Sequence, residues 1–178
     1  MERFYDNIKN SQILVFLMAE NSYNENVYSL VKMLTEISER ICYVTLNRPF
    51  ITLEKEMKRR NITTNNMFFI DAITNTVSKP KETENCSFVS HPGALTELSL
   101  EVSKALKANE PDCVLIDSLS TLLLYEKPIT IARFAQNMST KIRTYEYCKG
   151  VMTSIKSEVD NFVLHQLNII SDGVYHVD

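Results

Sequence analysis

Tryptophan is absent from this chain of 178 residues, and glycine occurs three times, at Gly93, Gly150 and Gly173. None of the three stands in a G-x-S-x-G turn, so the nucleophile elbow of a Ser-His-Asp hydrolase is excluded. Cys42, Cys86, Cys113 and Cys148 are scattered with no C-x-x-C pair, and His91, His165 and His176 are equally dispersed, so no metal-ligand spacing appears. No apolar run approaches the roughly 20 residues of a membrane span. Met1-Glu2-Arg3-Phe4 opens polar rather than with a basic segment ahead of an apolar one. These absences point to a cytoplasmic protein with reduced thiols and no membrane contact. A net charge of −3 and a pI near 5.7 leave no basic stripe for nucleic acid. Lys58-Arg59-Arg60, the one run of cations, ends a short predicted helix, where positive charge complements the dipole, and reads as a solvated face.

What is present is a periodic apolar pattern. With 44% hydrophobic residues, the chain suits one domain over 1–178 with a sizeable core. Short apolar runs predict strands at Ile13–Met18, Ile41–Leu46, Met67–Ile70, Cys113–Ile116, Gly150–Thr153 and Val174–Val177. Between them lie helical stripes. Val27, Leu30, Val31, Leu34 and Ile37 form one, and Leu95, Leu98, Val102 and Leu106 a second. Ile131, Phe134, Met138, Ile142 and Tyr145 form a third, and Val159, Phe162, Val163, Leu167 and Ile170 a fourth. Strand and helix in alternation predict a three-layer α/β/α fold with a mostly parallel sheet covered on both faces. The polar stretch from Ala72 to Pro92, broken by a small apolar island at Cys86 to Val89, is the long irregular connection and a candidate contact segment.

Ligands of open α/β sheets bind beyond the carboxyl ends of the strands. The residues leaving those strands are Ala19 and Glu20, Asn47 and Arg48, Asp71, Asp117 and Ser118, and Ser154. Gln12 to Leu34 reads as strand, tight loop and helix, the frame of a phosphate-binding G-x-x-x-x-G-K-[ST] loop. In that pattern inward N–H groups and a Lys hold phosphate, and a hydroxyl holds magnesium. Ala19, Asn24, Glu25 and Asn26 stand in the four defining places, and Glu20 adds a second carboxylate at the mouth. Two such charges about 4 Å apart repel by roughly 1 kcal/mol in water and about 4 kcal/mol at an effective dielectric near 20. Phosphate would meet repulsion there, and the residue before the predicted helix reads as an Asn near its N-cap. Glu20, Glu25 and Asp117 together could offer oxygens to a hard cation, but satisfaction by solvent and helix ends is the stronger reading, so no metal is expected.

Pro111-Asp112-Cys113-Val114-Leu115-Ile116-Asp117-Ser118-Leu119-Ser120-Thr121-Leu122 resembles the Walker B strand of the RecA superfamily, in its KaiC-like archaeal branch. Phe68-Phe69-Ile70-Asp71-Ala72 and Ser171-Asp172-Gly173-Val174 are similar to further strands of that branch, and the resemblance runs from about Gln12 to Val177. It implies a RecA/KaiC-like P-loop NTPase fold, here with a degenerate Walker A, and a tendency to oligomers. In that family a Glu ends the strand after the P-loop helix and activates the attacking water. Here Tyr43-Val44-Thr45-Leu46-Asn47-Arg48-Pro49 puts Asn47 in that place, which cannot act as a general base. Asp117 alone survives of the catalytic set that the resemblance carries over. The expectation is a non-catalytic pseudo-ATPase in regulation or signal transduction, working through a protein partner or self-assembly and without a cofactor. The alternative is a divergent nucleotide binder or weak ATPase in which Asp117 holds magnesium beside ATP, with Arg48 or a neighbouring subunit supplying positive charge. DNA binding of the RecA kind is disfavoured by the acidic balance.

Overall fold

The computed structural model describes residues 2–178. Seven strands, β1 (Ile13–Met18), β2 (Ile41–Thr45), β3 (Met67–Asp71), β4 (Cys86–Phe88), β5 (Cys113–Asp117), β6 (Lys149–Ile155) and β7 (Gly173–Val177), form one sheet in the order β4-β3-β2-β5-β6-β1-β7. Every pairing is parallel. All seven carboxyl ends therefore meet at one edge. The helices are α1 (Tyr5–Asn10), α2 (Tyr23–Ile37), α3 (Phe50–Arg59), α4 (Thr74–Val77), α5 (Leu95–Ala108), α6 (Leu119–Leu122), α7 (Pro128–Arg143) and α8 (Asn161–Ile170).

Side chains alternate across each strand, and this divides the core in two. Ile13, Val15 and Leu17 pack with Val114, Ile116 and the stripes of α5, α7 and α8. Leu14, Phe16 and Met18 pack with Tyr43, Leu115 and the stripes of α1, α2 and α3. The three-layer expectation is met. Local signals support the helix starts: Pro128 opens α7, and Asp160 caps α8 by accepting from the Phe162 and Val163 N–H groups.

The departures have physical reasons. The apolar island in the long connection is β4, a three-residue edge strand that pairs with β3 and has too few residues to show alternation. Helix α1 was not anticipated because its only fully buried residue is Ile8. Phe162, placed in the fourth stripe, is 43% exposed, and α8 buries only Val163 and Leu167.

Candidate functional site

Asp117 ends β5 with the same parity as Cys113 and Leu115, so its carboxylate points into the layer of α2 and α3. It is fully buried. Oδ1 accepts from the Tyr23 hydroxyl at 2.5 Å and from Asn47 Nδ2 at 3.1 Å, and Thr153 Oγ1, 3.2 Å from Oδ1 and 2.7 Å from the Tyr23 oxygen, shares its single proton between the two. Oδ2 accepts from the Tyr43 hydroxyl at 2.6 Å, and Arg48 Nη2 stands 3.6 Å away. Each carboxylate oxygen offers two lone-pair positions, so Oδ1 is crowded by donors while Oδ2 takes one hydrogen bond and the nearby Arg48 charge. A hard cation is bound through carboxylate oxygens, and both oxygens of Asp117 already carry donors.

The donors come from four elements. Tyr23 is the first residue of α2, Tyr43 lies in mid-β2, Asn47 and Arg48 follow β2, and Thr153 lies in β6. Burial pushes both phenols well above their usual range, and the Asp117 charge pushes the same way, so each stays a neutral donor. Burial works against the Arg48 charge, but Asp117 together with Tyr43, Tyr28 and Tyr23 outweighs it and holds the guanidinium even more firmly protonated. The buried carboxylate is thus paired and hydrogen-bonded, as low-dielectric surroundings require. Asn47, placed by sequence at a water-activating position, instead directs its amide N–H to Asp117.

The segment from Ala19 to Asn26 is less of a loop than its sequence suggests. Ala19 is extended and its N–H bonds Val177 O at 2.9 Å, Glu20 to Ser22 make a 3-10 turn, and α2 begins at Tyr23. Asn24, Glu25 and Asn26 are therefore helical, in or next to the first turn. The N-cap is Ser22, not an Asn, and its side chain makes no capping bond; Asn26 Nδ2 bonds it at 2.9 Å instead. Glu20 is exposed, while Glu25 is gripped by Arg60 through two bonds of 2.7 and 2.6 Å. That pairing holds Glu25 below the usual carboxylate range and offsets the repulsion expected between the two glutamates. It also corrects the reading of Lys58-Arg59-Arg60, because Arg60 folds back over the Tyr28 ring, 4.4 Å from its centroid.

Asp71, the other carboxylate at this edge, is occupied as well. It accepts from the N–H groups of Phe50, Ile73 and Thr74 and from the Thr74 hydroxyl, between 2.5 and 2.9 Å, and so ties the start of α3 to the turn after β3. Ser118 and Ser120 pair their hydroxyls at 2.6 Å, while Ser154 Oγ is buried with no partner. Among the described residues no three His, Cys, Asp or Glu side chains cluster as a metal site would require, and Glu20, Glu25 and Asp117 do not converge. All four cysteines are buried and free, with burial raising each thiol, Cys148 to about 12, so none is a thiolate nucleophile near neutral pH. A cleft of about 540 Å³ lies at the opposite, amino edge of the sheet, between Arg40, Lys107 and Tyr147. Its Asp112 caps the Glu39 and Arg40 N–H groups, and nothing in it duplicates the Asp117 cluster.

Sequence reasoning found Asp117, Asn47 and Arg48 but missed Tyr23, Tyr43 and Thr153. A signal existed: a Tyr and a Thr inside apolar runs that read as buried strands each need a hydrogen-bond partner.

No protein-family description matches the chain, and no curated protein matches it in sequence. Solved structures do. A KaiC-like protein of the hyperthermophilic archaeon Pyrococcus horikoshii superposes with a TM-score of 0.66 at 15% identity, covering 93% of this chain and 71% of that one. The flagellar accessory protein FlaH of Methanocaldococcus jannaschii gives 0.58 at 13% identity, covering 93% and 70%. The chain shares its parallel-sheet α/β fold with the KaiC-like protein and with FlaH.

Proposed function

We propose that this chain is a non-catalytic RecA/KaiC-like domain that acts in regulation or signal transduction by binding a protein partner or its own copies. The observation that carries this reading is the set of buried donors on both oxygens of Asp117, the one family carboxylate that a magnesium-dependent reaction would need. The first turn of α2 supports it, with Glu25 where a phosphate-binding loop has Lys. An accessory role also accords with one fold neighbour being a flagellar accessory protein. In a thermal-shift series, Mg-ATP and Mg-ADP leave the melting temperature where it is; a rise that saturates at low micromolar nucleotide would overturn the proposal.

A second reading keeps a nucleotide. It is favoured by one observation, that Arg48 Nη2 is buried, has no hydrogen-bond acceptor and lies beside Asp117. Magnesium would then have to displace the Tyr23 and Tyr43 hydroxyls. Magnesium-dependent phosphate release above background by the purified wild type, lost in Asp117→Asn at a temperature where that variant is folded, would establish this weak ATPase, and background release from the wild type ends it.

A further inference from the structure

The line of charges that begins at Asp117 continues to the surface. Arg48 donates through Nη1 to the Tyr28 hydroxyl at 2.8 Å, with its guanidinium carbon 5.1 Å from the ring centroid. Arg60 lies 4.4 Å from the same centroid and holds both oxygens of Glu25. Two arginines thus share one aromatic ring, one anchored inward by Asp117 and the other facing out on Glu25.

The fork that grips Glu25 has the geometry with which guanidinium takes any carboxylate. Two further facts show that the cluster is not saturated. Arg48 Nη2 and Arg60 Nε are both buried and lack an acceptor. Glu25 stands in the first turn of a 15-residue helix whose N-cap side chain caps none of the helix N–H groups, so these add positive potential. The acidic groups nearby differ in exposure. Asp117 is buried and carries donors on both oxygens, and Glu56 is engaged by Arg59 at 2.7 Å, whereas the Glu25 side chain is 68% exposed. An exposed ion pair resists displacement by less than about tenfold.

We propose that Arg60, Arg48 and Tyr28 form a carboxylate-binding site that Glu25 occupies in the free protein, and that an acidic side chain of a protein partner takes its place. This names the chemistry of the partner and rests on the function proposed above. Arg60 is the gripping residue, Arg48 fixes the ring and the local charge, and Glu25 is an intramolecular competitor that sets the threshold for binding.

The test uses a hexaglutamate peptide as probe, with inorganic phosphate in a parallel arm. Glu25→Gln binds the peptide about three- to fivefold more tightly than the wild type, the gain shrinks with added salt, and it vanishes when Arg60→Gln is combined with it. No gain in Glu25→Gln, a gain that survives Arg60→Gln, or tighter binding of phosphate than of peptide would each overturn the proposal. In the wild type, millimolar peptide shifts the Arg60 Nε–Hε resonance in a ¹⁵N spectrum, and an unmoved resonance counts against the site. No nucleotide enters either measurement, so their failure is distinct from a failure of the non-catalytic reading.

Discussion

The Tyr23 hydroxyl lies 2.5 Å from Asp117 Oδ1, joining the first residue of α2 to the last of β5 across 94 positions of sequence. With Tyr43 on the other oxygen, the phenol makes the strand-ending carboxylate part of the core. A buried polar network rigidifies its surroundings, and removing its centre leaves several donors stranded at once.

Asp117→Ala therefore destabilises the fold by about 3–5 kcal/mol, because it strands the Arg48 charge and two buried phenols. Urea unfolding measures this directly. A loss below about 0.5 kcal/mol would mean that the network holds nothing together.

The two phenols predict behaviour in alkali. Their folded-state pKa values are raised, so the stability they contribute is complete below the unfolded value near 10 and declines as pH rises toward the folded values. With eight tyrosines and no tryptophan, the tyrosinate absorbance band reports cleanly. Tyr23 and Tyr43 ionise only with the unfolding transition. Titration of all eight phenols in one step near pH 10, with the fold intact, would contradict the burial described here.

An acid limb arises at Asp172, which accepts from the Gln12 and Ile13 N–H groups at 2.9 and 2.8 Å and from Arg143 at 2.7 Å. Burial pushes its carboxyl up, but Arg143 and the two N–H groups outweigh that and hold it below the usual range. Its contribution is present above the unfolded value near 3.9 and is lost as pH falls through the lower folded value. Asp172→Asn flattens the fall in melting temperature below pH 4 while lowering stability at neutral pH. An unchanged acid limb would remove Asp172 as its source.

Glu110 follows the C-cap of α5 with a φ of 44°, a left-handed conformation that suits glycine. Its contact with Arg40 is 3.7 Å long between side chains 74% and 57% exposed, and does little to offset that strain. Glu110→Gly raises stability by about 0.5–1 kcal/mol in chemical denaturation, and a decrease would show that the Arg40 contact matters more.

The sheet was legible because its strands are covered on both faces, and their near-continuous apolar runs stand out from the stripes of α2, α5 and α7. The short or half-exposed elements were not, since β4 and α1 carry too few apolar residues to declare a period. At the site, sequence identified Asp117 by its place at a strand end. It could not show who surrounds it, because Tyr43 and Thr153 lie 74 and 36 positions away and register brings them together. The true start of α2 was hidden for a related reason: a Ser22 cap without a side-chain bond leaves no mark among the polar residues that flank it.

The central claim is that Asp117 is committed to the fold rather than to a ligand. Titration calorimetry of the wild type with Mg-ATP tests it most directly. The wild type gives no saturable heat up to millimolar nucleotide, and a dissociation constant in the low micromolar range would contradict this role of Asp117.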